Sequence, residues 1–128
     1  MTPAELCRKI RRLPTKAPIT EGLERHLAGG PANQNYYPSQ KHHLLAFWGE
    51  YETYGYYGRK MKAGYTAEFA YNHFRCAPGL LWLAEAVGVP KTKLRSAKAA
   101  VLAVKGNDAS QAAALRKIIP WSEIVERL

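Results

Sequence analysis

The chain has 128 residues, 47% of them apolar and 23% charged, which suits one domain with a real core and excludes a disordered or low-complexity chain. Nineteen Lys and Arg stand against ten Asp and Glu, for a net charge of +9. A field of that sign favours a polyanionic partner, whether DNA, RNA, an anionic membrane surface or an acidic protein, and says nothing about fold.

The punctuation along the chain is helical. Thr2-Pro3-Ala4-Glu5 reads as a capping box with proline at the first helical position. Leu6, Ile10 and Leu13 follow at helical spacing, and Pro14 closes the segment. Arg8, Lys9, Arg11 and Arg12 fall on the opposite face. Thr20 caps a short helix to about residue 28, stopped by Gly29-Gly30-Pro31. Residues 29–38 read as a loop. Ser39 caps a helix carrying Leu44, Leu45, Phe47, Trp48 and Tyr51. Residues 54–62 form a second loop that is both basic and aromatic. Thr66 opens a helix to about Cys76, Pro78 one ending at Gly88, and Pro90 one ending near Gly106. Asn107 or Asp108 caps another, stopped by Pro120. Trp121, Ile124, Val125 and Leu128 then make a last amphipathic turn or two. The expectation is a single all-α domain over residues 1–128, of about six or seven short helices and no strand. Its core is expected to hold Leu6, Ile10, Leu44, Phe47, Trp48, Phe69, Leu81, Leu83, Leu94, Val101, Leu115, Ile118, Ile124 and Val125.

No run approaches the roughly 18 apolar residues that span a bilayer, and the opening residues lack the apolar stretch of a secretory signal. Two cysteines, Cys7 and Cys76, are too few for a disulfide framework. Reduced thiols and a cytoplasmic location are the expectation.

The most specific segment runs from Leu83 to Ala97. Ala84 supplies a small residue where two helices cross. Gly88 supplies the positive φ of a tight turn, and Val89, Leu94 and Ala97 are spaced to pin the second helix. The segment resembles the helix-turn-helix of bacterial and phage DNA-binding proteins, and places a helix-turn-helix-like unit near residues 79–104. It departs from that pattern at Pro90, where Ser or Thr often caps. The outward positions would be Lys91, Thr92, Arg95, Ser96 and Ala99. Arg donates twice to guanine, and Ser and Thr reach base edges, so Lys91, Thr92, Arg95 and Ser96 are the expected base-facing set. Lys93, Lys98 and Lys105, with Arg8, Lys9, Arg11 and Arg12 of the first helix, are the expected phosphate contacts. From Val87 to Asn107 there is no carboxylate.

A wider likeness covers Leu13-Pro14-Thr15-Lys16-Ala17-Pro18-Ile19-Thr20, Tyr71-Asn72-His73 and Leu80 through Pro90. Together these resemble small uncharacterised proteins of phages, prophages and mobile elements. The resemblance implies a cytoplasmic accessory protein, a regulator or an inhibitor of host defence.

Other constellations are weaker. Tyr56, Tyr57, Arg59, Lys60 and Lys62 interleave rings with cations, a pattern that stacks unpaired bases and holds phosphates, or else packs its rings on the helices. His73 and Cys76 sit at i, i+3 on one helix face, and His42-His43 could supply further ligands, but no second Cys/His pair has metal spacing, so no metal or other cofactor is expected. No Gly-rich phosphate loop, nucleophile elbow or His-Glu-x-x-His is present, and Glu50 and Glu52 fall on different helix faces. No enzymatic activity is expected. The leading expectation is a small basic protein that grips duplex DNA, compatible with a homodimer on paired half-sites and without a membrane role. The alternative is an anti-CRISPR-like inhibitor that engages a host nucleic-acid enzyme through a basic surface, with the 54–62 loop as its contact.

Overall fold

The computed structural model describes residues 1–14, 39–49 and 65–128. The expected helix at 20–28, the loop at 29–38 and the aromatic-basic loop at 54–62, with Tyr56, Tyr57, Arg59, Lys60 and Lys62, lie outside the described residues. Those described form seven α-helices and no strand: α1 (Pro3–Arg11), α2 (Gln40–Trp48), α3 (Ala67–His73), α4 (Ala77–Ala86), α5 (Lys91–Ala103), α6 (Asp108–Ile118) and α7 (Trp121–Arg127). Among them, no helix is long and apolar enough to cross a membrane.

Local chemistry accounts for the helix starts. At α1 the Glu5 amide donates to Thr2 Oγ1 at 3.2 Å, and the Thr2 amide donates to Glu5 Oε2 at 2.7 Å. Two otherwise orphaned donors are satisfied reciprocally. Ser39, Thr66 and Asn107 cap α2, α3 and α6 by accepting from the amides of His42, Phe69 and Ser110. The far end of α1 is held from another helix. Lys41 is buried on α2, and its ammonium donates to the carbonyls of Arg11 at 2.6 Å and Leu13 at 3.1 Å. A cation there satisfies terminal carbonyls and complements the helix dipole.

One helix organises the core. In α4 every residue from Ala77 to Ala84 is buried. A helix that is apolar on all sides must be wrapped on all sides. Accordingly α2, α5 and α6 all pack on it. α5 and α6 also pack along each other, α1 lies on α2 and α3, and α3 meets α7. One apolar cluster draws residues from all seven helices. The buried Tyr71 hydroxyl of α3 donates to the carbonyl of Ile119, tying α3 to the α6–α7 connection. Arg116 of α6 donates to the carbonyl of Phe74 at 2.7 Å.

Four expected core positions differ from the structure, and one of them, Phe47, is half-buried at the edge of the core. Phe69 is only half-buried, because α3 turns Ala67, Ala70 and Tyr71 inward and Phe69 is off that face. It stacks instead between Tyr65 and His73, with ring centroids 4.4 and 3.7 Å away. Phe74 is the buried ring. α3 stops at His73, earlier than expected, and extended backbone at Phe74 carries its side chain to Trp48, Phe47 and His43. Ile118 is half-buried while Ile119, one residue past α6, is fully buried. On α7, Ile124 points inward and Val125 is 39% exposed.

Two predictions follow from the contact of α2 with α4. Gly79 lets the helices approach: a Cβ there would lie 2.8 Å from Phe74 Cε1 and 3.3 Å from Leu44 Cδ2. Phe74 is boxed by other rings and cannot swing away. Gly79→Ala is expected to lower stability by about 1–2 kcal/mol, the overpacking outweighing a helix-propensity gain of about 1 kcal/mol. Denaturant midpoints measure this.

His43 packs edge-on against Phe47 and Phe74, and burial pushes its pKa down from 6.5 to about 4. The unfolded chain therefore takes up a proton on this residue before the folded chain does. Stability from this group is complete above about pH 6.5 and is lost as the pH falls towards 4, by about 2–3 kcal/mol. His43→Leu should flatten that part of the stability–pH curve, which chemical denaturation at stepped pH measures.

Candidate nucleic-acid interface

The corner between α4 and α5 consists of Val87, Gly88, Val89 and Pro90. Gly88 has φ +86°. Its amide donates to the Glu85 carbonyl at 3.0 Å, and the Val89 amide donates to the Ala84 carbonyl at 3.0 Å. These paired bonds make a Schellman motif, which closes a helix through one left-handed residue. Val87, Val89 and Ala84 are buried beneath the turn and Gly88 is exposed. Glycine is therefore needed here for its backbone and not for space. Pro90 sits one position earlier than expected. It is the N-cap of α5, with extended ψ of 142°, and its carbonyl accepts from the Leu94 amide at 3.0 Å. Ala84 is fully buried, Gly88 has positive φ and the turn between the helices is short, each where the sequence reading put it.

Beyond the corner, α5 divides into two faces. Leu94, Ala97 and Val101 are buried against the core. Lys91, Thr92, Arg95, Ser96 and Ala99 are exposed, and Leu102 is 48% exposed further along. Lys98 is half-buried, and Lys105 is exposed in the connection to α6. The Ser96 hydroxyl donates back to the Thr92 carbonyl at 3.2 Å, leaving its oxygen as an acceptor. The expected base-facing set of Lys91, Thr92, Arg95 and Ser96 thus shares one solvent-facing strip.

The expected phosphate contacts are less uniform. Lys93 reaches sideways to α7, where its Nζ lies 2.9 Å from Glu123 Oε2. Glu123 also takes Arg127, with Nε 3.4 Å from Oε1, and Arg127 Nη1 donates to the Gly88 carbonyl at 2.9 Å. The Lys93 hydrogen bond, with the nearby Arg127, holds the Glu123 carboxyl below its ordinary pKa. The sequence reading missed both α7 residues. Their i, i+4 spacing was visible, but their meeting with α5 was not. Arg8, Lys9, Arg11 and Arg12 are exposed on α1. Arg8, Lys9 and Arg12 line a shallow open groove with Met1 and Glu5. Their helix packs on α2 and α3, whereas α5 packs on α4 and α6. The cations therefore form two separately supported rows.

The i, i+3 helical reading of His73 and Cys76 is corrected. α3 ends at His73, Cys76 is the N-cap of α4, and His73 Nδ1 lies 2.8 Å from the Phe69 carbonyl. Among the described residues, no three His, Cys, Asp or Glu side chains are grouped as a metal site would group them. No protein-family model, curated protein or solved structure matches the chain.

Nothing lies within 4 Å of a Cβ built on Gly88. Gly88→Ala should therefore carry only the backbone penalty of φ +86°, about 1–2 kcal/mol, while Gly88→Asn, which tolerates this region, should cost less. Thermal denaturation of the two variants distinguishes this from a steric role.

Proposed function

We propose that this chain binds duplex DNA through the outward face of α5, as a small regulator of a phage or mobile element. One observation carries the reading. Lys91, Thr92, Arg95 and Ser96 form an exposed strip at the start of a helix that is held from behind by a tight, glycine-capped corner. Such a helix end fits the major groove, where the protein behind it is kept clear of the backbone.

The side-chain chemistry assigns roles. Arg95 presents a planar fork that matches the two acceptors of guanine. The Ser96 oxygen suits a donor on a base edge, and the Thr92 hydroxyl can donate to a base-edge acceptor or to an adjacent phosphate. Lys91, Lys98 and Lys105 lie along the same helix and its exit, and supply backbone contacts that set register. The segment from Val87 to Asn107 carries no carboxylate of its own to repel a phosphate, although Glu123 of α7 reaches Lys93. The α1 row of Arg8, Lys9, Arg11 and Arg12 adds a second cationic face. A homodimer would place two copies of α5 on paired half-sites.

Fluorescence anisotropy with a labelled random-sequence duplex, titrated at several salt concentrations, tests the reading. Wild type should bind with an affinity that falls steeply with salt. Lys91→Ala/Arg95→Ala should lose about tenfold or more, with a log–log salt slope shallower by about 0.9 for the lost Lys91 backbone contact. Absence of duplex binding at low salt, or binding that the double variant leaves intact, contradicts it.

A further inference from the structure

Lys93 differs from its neighbours. Among the described residues it is the member of the α5 cation row with a carboxylate partner. The pair is partly sheltered, the Lys93 side chain being 36% exposed and that of Glu123 18%. Glu123 is also held in place. It lies in the first turn of α7, its amide donates to the Pro120 carbonyl at 3.0 Å, and its second oxygen faces Arg127. Arg127 in turn is fixed on the Gly88 carbonyl at the corner itself. Two carboxylate oxygens thus face two cations beside the proposed DNA-facing helix, much as the oxygens of a backbone phosphate would.

Resting on the duplex-binding reading, we infer that Glu123 competes with a DNA backbone phosphate for Lys93, so that this carboxylate sets the affinity of the α5 surface. In the free protein Lys93 is withheld from the row formed by Lys91, Arg95, Lys98 and Lys105. A phosphate that engages Lys93 has to displace Glu123 and then lies beside its charge. Arg127 ties Glu123 to the Gly88 carbonyl of the turn.

Salt-titrated duplex binding of four variants tests this. Glu123→Gln keeps one side-chain oxygen, for Lys93 or for Arg127, puts a donor in place of the other and removes the charge. Glu126→Gln makes the same charge change on the same helix, at an exposed residue that is not the partner of Lys93. Glu123→Gln should raise duplex affinity by about twofold to fivefold and steepen the log–log salt slope by about 0.9. Glu126→Gln should do less of either. Adding Lys93→Ala to Glu123→Gln should abolish the gain. Equal effects from the two glutamine variants, or a gain that survives Lys93→Ala, overturns the competition. Binding that Arg95→Ala destroys and Glu123→Gln leaves unchanged overturns this inference alone. No duplex binding by wild type or any variant overturns the duplex-binding reading and this inference together.

Discussion

A helix whose first eight residues carry no charged side chain and are all buried is the constraint behind this fold. From Ala77 to Ala84 α4 has no residue fit for water, so every side of it must be covered. α2, α5 and α6 supply the cover, and their other surfaces become the outside of the protein. The demand is strict where the helices come closest. Gly79 is in contact range of Phe74 and Leu44, and Ala84 is fully buried under the corner. α5 is therefore pinned along Leu94, Ala97 and Val101, and what it shows to solvent follows from which residues are left over. The basic strip is a consequence of how α4 is buried.

The charges divide by what holds them. Lys41 is buried and spent on the end of α1, where it replaces water at two carbonyls. Lys93 and Arg127 are engaged around Glu123 and the Gly88 carbonyl. Arg116 holds the Phe74 carbonyl across the core. These cations contribute to the net charge of +9 without being freely offered to a partner. Lys91, Arg95 and Lys105 remain exposed around α5, with Arg8, Lys9 and Arg12 along the α1 groove. Under the duplex-binding proposal it is those two rows that a polyanion would meet, a distinction invisible to a charge count.

Local signals were legible in the sequence. The Thr2–Glu5 capping box, the caps at Ser39, Thr66 and Asn107, and the turn at Gly88 each depend on residues within a few positions of one another. The two faces of α5 followed from periodicity alone. What sequence reading missed depends on distant partners or on where a helix stops. Phe74 is buried instead of Phe69 because α3 ends at His73, and Ile119 instead of Ile118 because the chain leaves α6 there. Lys41 reads as a surface lysine, since the carbonyls that bury it are about thirty residues away. Glu123 and Lys93 are likewise thirty residues apart, so Lys93 looked as available as Lys91.

The most direct test of the central claim is a residue-resolved one: amide chemical-shift mapping of the full chain as a short duplex is added at low salt. Shifts concentrated on Lys91, Thr92, Arg95 and Ser96, with smaller ones at Gly88 and Val89, are the result expected if α5 faces the groove. Shifts confined to Arg8, Lys9 and Arg12, or none at saturating duplex, would contradict it.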